Sequence, residues 1–193
     1  MAYFLLGLAF FIVIGGFAYF LPDDEKSLLS GASDVMNTHM TLTSSAFKQG
    51  ERIPSKFTCD GENINPPLSI QGIPEGAVSL VLIMDDPDVP KVLKPDGVFD
   101  HWVLYDLDPS LTEIPEGSSA GIAGLNGKGD PSYTGPCPPS EYEPSEHRYF
   151  FKLYALNRAI DVTGTPNKTE VLKAMEGSII EEAELMGTYK KIK

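Results

Sequence analysis

Cysteine and basic residues are scarce in this chain, and their scarcity excludes several classes of protein. Only two cysteines occur among the 193 residues, too few for a disulfide framework or a four-thiolate zinc site. Lysine and arginine together number 15 against 27 acidic residues, so the net charge is −12. Because nucleic acid backbones are bound mainly through basic side chains, this composition predicts no nucleic acid partner. No glycine-rich phosphate loop opens a helix, and we expect no cofactor.

Charge of either sign is missing from the amino-terminal segment. Residues 2–21 contain no charged side chain. A helix of about 20 apolar residues is about 30 Å long, which matches the hydrocarbon core of a bilayer. The sequence therefore predicts a transmembrane helix over residues 1–21 as a membrane anchor, with a cleaved signal peptide as the alternative. Three acidic residues and a single lysine follow over 23–26, which favours an extracytoplasmic location for the rest of the chain.

Glycine and proline are frequent, with 18 and 16 residues respectively. Such frequent breaks disfavour a helical bundle and favour many short strands. Residues 22–38 are polar and rich in small side chains, which predicts a flexible tether. Residues 39–193 are numerous enough to enclose one hydrophobic core, and we expect them to fold as one domain without the preceding segment.

Four apolar runs bounded by turn residues predict β-strands, and they cover residues 40–47, 78–85, 101–107 and 147–156. No helical pattern separates them, so the expected fold is mainly β, an antiparallel β-sandwich. Two short C-terminal helices are predicted to pack on it. The first begins at Asn167, where Glu170 completes a capping box, and the second begins at Ser178. The apolar face predicted for the second helix consists of Ile179, Ala183 and Met186.

Polar side chains stand at the ends of the predicted strands. Asp86 and Asp88 follow the second strand, His101 opens the third, and His147 and Tyr149 begin the fourth. Alternation along a strand places His147 and Tyr149 on the same face. Together these side chains suit an oxyanion site, a metal site with two histidines and a carboxylate, or a His/Asp acid–base pair.

Three short motifs follow one another along the chain: DPDVP at 86–90, GPCPP at 135–139 and HRY at 147–149. With the stretches around them they cover about residues 40–190. In this combination the chain resembles the phosphatidylethanolamine-binding protein family, also called Raf kinase inhibitor-like proteins. Within that family it is most similar to the bacterial and archaeal YbhB/YbcL branch.

The resemblance implies a β-sandwich with helices at its C-terminal end and a small, partly open pocket. The implied ligand is phosphate or a phosphorylated small molecule or headgroup, and the implied role is regulatory or scaffolding rather than enzymatic. Carboxylates that faced a phosphate would repel it, so we expect the two aspartates to accept hydrogen bonds from histidine or backbone groups instead. By motif match, the pocket lining is Asp86, Asp88, His101, Pro138, Pro139, His147 and Tyr149.

Other readings stay open at this point. The chain could inhibit a protease or a kinase through the long Pro/Gly-rich stretch 109–146, although the pocket residues identify no protein partner. It could instead be a metal-assisted or His/Asp hydrolase, although no candidate nucleophile stands in a G-x-S-x-G setting. The resembled fold brings Cys59 and Cys137 near the pocket rim and leaves a disulfide and two free thiols equally open. A cis X-Pro bond is predicted within 86–90.

Overall fold

The computed structural model describes residues 12–14, 17–19, 39–118 and 120–192. Near the amino terminus, strands β1 (Ile12–Ile14) and β2 (Phe17–Tyr19) pair with each other in antiparallel fashion. Within the described residues, no helix combines the length and the apolar character needed to cross a bilayer. The prediction of a single transmembrane helix over 1–21 is wrong, because residues 12–14 and 17–19 are strands. The predicted tether over 22–38 and the rest of the apolar run lie outside the described residues.

From residue 39 onward, two antiparallel sheets form the framework. The smaller sheet has the order β3-β4-β7 and contains β3 (Thr41–Thr43), β4 (Leu68–Gln71) and β7 (Glu113–Ile114). The larger sheet has the order β10-β9-β5-β6-β8. Its strands are β5 (Ser79–Asp86), β6 (Phe99–Leu107), β8 (Ile122–Ala123), β9 (Glu146–Leu156) and β10 (Ile179–Lys190). All four apolar runs thus contain a strand, although the first is only three residues long.

The hydrophobic core lies between the two sheets. Leu42, Ile70 and Ile114 from the smaller sheet belong to the same buried cluster as Leu82 and Phe151 from the larger one. Strand β5 is buried along its whole length, because alternate residues face opposite sides of the sheet and both sides are covered. On the outer side its residues pack in a second cluster with α1 (Lys168–Met175). Both faces of the central strand are therefore fixed by packing.

Helix α1 begins as the sequence predicts. The side chain of Asn167 accepts a hydrogen bond from the backbone N–H of Glu170 at 3.1 Å, and Glu170 accepts one from the backbone N–H of Asn167 at 2.8 Å. This reciprocal capping box satisfies two of the free N–H groups at the helix start. Val171 and Met175 are fully buried on the face that meets the larger sheet.

The second predicted C-terminal helix is wrong, and α1 is the one α-helix in the described part of the chain. Residues 179–190 instead form β10, which pairs with β9 from Ile179 opposite Leu156 to Lys190 opposite Glu146. The burial pattern of this segment has a period of two. Its inward-facing residues are Ala183, Leu185, Gly187 and Tyr189, and this alternation is typical of a strand with one buried face. Ile179, Ala183 and Met186 also fit the spacing of a helical face, which is why a helix was predicted here.

Candidate functional site

A pocket of about 200 Å³ opens where three strands of the larger sheet end. Asp86 is the last residue of β5, His101 lies near the start of β6, and His147 is the second residue of β9. Because β5 runs antiparallel to both neighbours, its last residue meets the first residues of β6 and β9 at the same end of the sheet. The wall is completed by Val89, Phe99, Lys128, Thr134, Gly135, Cys137, Pro138 and Pro139.

A β-bulge directs His101 into this site. The pairing of β5 with β6 skips His101, so that Asp85 lies opposite Asp100. Asp100 accepts a hydrogen bond from Lys168 of α1 at 2.7 Å on the outer side of the sheet. The ring of His101 instead meets the ring of Tyr149 edge-on, with centroids 5.2 Å apart. A bulge of this kind re-aims a side chain, and here it brings His101 to the pocket side.

His147 is held by Asp86 in a buried pair. Its Nδ1 lies 2.7 Å from Oδ2 of Asp86, and the two side chains are only 1% and 4% exposed. Because a carboxylate can only accept, Nδ1 of His147 carries the proton and Nε2 is left for another partner. The other oxygen of Asp86, Oδ1, accepts the backbone N–H of Asp88 at 2.8 Å. Both oxygens of Asp86 are therefore occupied within the protein, as the sequence analysis expected.

His101 is neutral at physiological pH. Burial lowers its pKa from 6.5 to about 4, against the opposing effect of a hydrogen bond to the carbonyl oxygen of Thr134. That bond is 2.6 Å long, and since a carbonyl accepts, Nδ1 of His101 carries the proton. The remaining ring nitrogen, Nε2, is then a hydrogen-bond acceptor in the neutral ring. His101 thus offers a lone pair, rather than a charge, to a ligand in the pocket.

Two buried polar atoms in the described residues have no hydrogen-bond partner, and both belong to this site. They are Nε2 of His147 and the hydroxyl oxygen of Tyr149, and their rings stack with centroids 6.4 Å apart. Burial and the nearby carboxylate of Asp86 raise the pKa of Tyr149, so its hydroxyl stays protonated and can donate. An unpartnered buried polar atom costs about 1–3 kcal/mol, and a functional reason is expected for each one.

Lys128 is a pocket residue that the sequence analysis missed. Its Nζ donates to Oγ1 of Thr134 at 2.9 Å. Its backbone N–H donates to the side-chain oxygen of Asn126 at 2.8 Å, which holds the turn that carries it. The residue was detectable in principle, because Lys128 is the only basic residue in the stretch 109–146. It supplies a positive charge at the pocket wall.

Five of the seven predicted site residues line the pocket: Asp86, His101, Pro138, Pro139 and His147. Tyr149 lies beside them and is fully buried. Asp88 is held away from the pocket by Arg148, which binds its two carboxylate oxygens at 2.9 and 2.7 Å. These bonds hold the pKa of Asp88 below its usual range. Asp88 therefore has a structural role in the turn after β5.

A disulfide joins the pocket wall to a distant turn. Cys59 and Cys137 are bonded, with Cα atoms 5.4 Å apart and a sequence separation of 78. The backbone N–H of Cys59 also donates to the carbonyl oxygen of Pro136 at 3.1 Å. The segment 134–139 of the long Pro/Gly-rich stretch is thereby fixed as one side of the pocket. The predicted cis bond within 86–90 is wrong, since the cis bond of the described residues is Glu143–Pro144.

Across the described residues, no three His, Cys, Asp or Glu side chains come together as a group that could hold a metal ion. The pocket contains the polar side chains of Asp86, His101 and His147, but two of their atoms already bind each other.

Comparison with known proteins identifies the family. Residues 43–190 match the family model described as phosphatidylethanolamine-binding protein. The chain belongs to this family. A UPF0098 protein of Chlamydia pneumoniae is 46% identical over 153 residues, which is 79% of this chain and 99% of that protein. A UPF0098 protein of Methanothermobacter thermautotrophicus is 44% identical over 162 residues, with the same shares covered.

Solved structures of the phosphatidylethanolamine-binding protein family have the same fold. The homologue CT736 of Chlamydia trachomatis superposes with a TM-score of 0.76 at 44% identity and covers 81% of this chain and 100% of its own. YbcL of Escherichia coli, described as a member of the mammalian family, gives a TM-score of 0.70 at 24% identity, with 80% and 99% covered. The second likeness shows the shared fold alone.

Proposed function

We propose that this member of the phosphatidylethanolamine-binding protein family binds a small phosphate-bearing anion in the pocket between Asp86, His101 and His147. The observation that carries the proposal is the pair of unpartnered buried atoms, Nε2 of His147 and the hydroxyl of Tyr149. A ligand oxygen at the base of the pocket would give these atoms their missing partners. The pocket volume of about 200 Å³ suits a phosphate or phosphorylated headgroup rather than a whole lipid.

The charges of the site favour an anion. Lys128 contributes a cation at the wall, and Tyr149 contributes a protonated hydroxyl. The carboxylate of Asp86 would repel an anion, but one of its oxygens binds the imidazole of His147 and the other binds a backbone N–H. Asp86 thus acts by orienting His147. The pocket therefore has a charged donor, the ammonium group of Lys128, and a neutral one, the hydroxyl of Tyr149.

His101 predicts that a bound phosphate shares a proton with the protein. In its neutral ring, Nδ1 donates to the carbonyl oxygen of Thr134 and Nε2 is an acceptor. A phosphate oxygen can meet such an acceptor only when a proton lies between them. The proton comes from a singly protonated phosphate group, whose second pKa is about 6 in a phosphate ester. Affinity should therefore fall as the pH rises above that value.

Calorimetric titration of the full chain with phosphoethanolamine at pH 6 and pH 8 tests the proposal. We expect affinity at least tenfold weaker at pH 8 than at pH 6, since most of the ligand has lost the shared proton by pH 8. H147Q should weaken binding at pH 6, because it replaces the ring whose Nε2 has no partner within the protein. The exposed His39 provides the matched control, and H39Q should bind as the wild type does.

A second pair of variants tests the cation at the wall. K128M should weaken binding of phosphoethanolamine about tenfold, whereas K173M on the exposed face of α1 should have no effect. D88N should also leave affinity within about twofold, because Asp88 binds Arg148 outside the pocket. Equal affinity at both pH values, or no binding at either, would contradict the proposed function.

A further inference from the structure

A cluster of four charged side chains lies on the outer side of the larger sheet, where α1 packs. It consists of Asp85, Asp100, Lys152 and Lys168. Nζ of Lys168 lies 3.0 Å from Oδ2 of Asp85 and 2.7 Å from Oδ1 of Asp100, so one ammonium group joins both carboxylates. Lys152 binds the two oxygens of Asp85, each at 3.1 Å, whereas Asp100 takes its ammonium partner from Lys168.

The two aspartates of this cluster face each other across neighbouring strands. Asp85 of β5 is paired directly with Asp100 of β6. Like charges in directly opposite positions of a sheet are destabilising, and burial of Asp85 leaves little water to screen them. The ammonium group of Lys168, whose side chain is only 16% exposed, lies against both carboxylates and offsets this repulsion. The pairing of the two strands at this point therefore depends on Lys168.

This pairing decides which side of the sheet His101 faces. Val103 packs in the outer buried cluster with α1. Simple alternation would place His101, two residues earlier, on the same outer side. The bulge adds one residue to β6, so that Asp100 takes the outer position and His101 moves to the pocket side. A slip of one residue would reverse the two. The bond from Lys168 holds Asp100 on the outer side and so selects the bulged pairing.

The position of Lys168 runs against the local preference of a helix. It is the first residue of α1, where the helix dipole is positive and a lysine is unfavourable. The helix start is already held by the capping box of Asn167 and Glu170, and by the backbone N–H of Leu125, which donates to the carbonyl oxygen of Pro166 at 2.8 Å. A residue that breaks a local rule is expected to have a compensating contact elsewhere, and here this contact is with the two carboxylates.

We infer that Lys168 is a positioning residue for the anion site. It holds Asp100 on the outer side of the sheet and thereby keeps His101 in the pocket. On the pocket side, the carbonyl oxygen of Thr134 orients the ring of His101, while Lys168 fixes the strand from behind. Lys168 does not itself line the pocket. The inference rests on the proposed function only where it predicts a change of anion affinity.

Proton NMR of the imidazole rings in the full chain tests the inference without a ligand. The chain contains three histidines, so each ring can be followed separately. The ring of His101 meets those of Phe99 and Tyr149 edge-on, with centroids 4.8 and 5.2 Å away, and their ring currents make its signals sensitive to small displacements. K168M should shift the His101 signals. D100A removes the other end of the same bond at a partly exposed position and should shift the same signals, also if K168M does not fold.

Two lysine variants serve as matched controls. K152M removes the same charge from the same cluster but leaves Lys168 between the carboxylates, so the His101 signals should stay in place. K173M, on the exposed face of α1, should also leave them unchanged. A general loss of stability would not selectively move the signals of one ring in the folded protein. Unchanged His101 signals in K168M and D100A, or an equal shift in K152M, would overturn the inference.

Calorimetry with phosphoethanolamine at pH 6 measures the consequence for the site. K168M should bind about tenfold more weakly than wild type and K152M within about twofold, since loss of a group that orients a binding histidine usually costs tenfold or more. Unchanged affinity in K168M, when wild type binds, would overturn the inference and leave the proposed function standing. If K168M shifts the His101 signals while wild type fails to bind phosphoethanolamine, the proposed function fails and the positioning of His101 by Lys168 stands.

Discussion

Nδ1 of His147 donates to the carboxylate of Asp86 across 2.7 Å, although the two residues are 61 positions apart in sequence. Both side chains are almost fully buried, so neither can exchange its partner for water. Removing one member of a buried pair usually costs about 3–5 kcal/mol, because the other is left buried and uncompensated. Loss of either side chain alone should therefore destabilise the fold as well as change the shape of the pocket.

The first prediction concerns this pair. H147A should lower the free energy of unfolding by about 3 kcal/mol, near the lower end of that range because Asp86 keeps its bond from the backbone N–H of Asp88. Urea unfolding at pH 7 measures the loss. The exposed variant H39A should change stability by less than about 0.5 kcal/mol. A loss of under about 1 kcal/mol in H147A would contradict this account.

The second prediction concerns pH. His101 has a pKa of about 4 in the folded protein and 6.5 as its ordinary value. Between these values the unfolded chain binds a proton that the folded chain does not, so stability falls as the pH is lowered from 6.5 to 4. The contribution of this one group is about 3 kcal/mol. It is fully present above pH 6.5 and is lost below pH 4.

A comparison with H101N isolates this effect. The amide of asparagine can donate to the carbonyl oxygen of Thr134 but does not titrate. Denaturant unfolding at intervals from pH 7 to pH 4 should give a steeper decline for wild type than for H101N. Protonation of carboxylates also lowers the stability of both proteins in this pH range, so its contribution cancels when the two curves are subtracted. Parallel declines would show that His101 is not buried in its neutral form.

The third prediction concerns the disulfide between Cys59 and Cys137. Removing a native disulfide typically costs 2–5 kcal/mol, and the long loop between these cysteines places the expected loss in the upper half of that range. Because Cys137 lines the pocket, C59S/C137S should also bind phosphoethanolamine more weakly. Thermal unfolding and calorimetry measure the two effects. Unchanged stability would contradict the structural role of the disulfide, and unchanged affinity would contradict its role in the pocket.

The fourth prediction concerns the limits of the folding unit. Among the residues that the structure describes, both buried clusters lie after His39, so a fragment of residues 39–193 should fold alone. We expect a single cooperative thermal transition and the same response to phosphoethanolamine as the full chain. A fragment that is insoluble, or that melts without cooperativity, would show that the preceding residues are required.

Patterns within short stretches of sequence correctly predicted strand β5 and the start of helix α1. The buried run of β5 and the capping box of Asn167 each depend on a few neighbouring residues. Strand β10 was missed because Ile179, Ala183 and Met186 also fit a helical spacing. Only pairing with β9 along its whole length selects the strand. Tertiary contacts thus decided between two periods that the sequence allows.

The sequence identified most of the residues that line the pocket but not how they are arranged in it. Motif matching brought Asp86 and Asp88 together as one unit, whereas Arg148 turns Asp88 away from the pocket. His101 reaches the pocket through a bulge, and a bulge depends on the register of two strands rather than on the order of residues in one. Lys128 comes from a turn that the side chain of Asn126 holds, outside any strand or helix, so no periodic pattern marks it.

Asp86 and His147 lie on neighbouring strands of the larger sheet, and the strands rather than the loops hold their position. Residues 87–98 follow Asp86 along the chain, and residues 138–145 precede the strand that carries His147. Both segments contribute to the wall of the pocket, through Val89 and through Pro138 and Pro139. Exposed loops of this kind tolerate changes of sequence and length better than buried strands do. Changes in these two segments can therefore alter the mouth of the pocket while the buried pair and its contribution to folding stay the same.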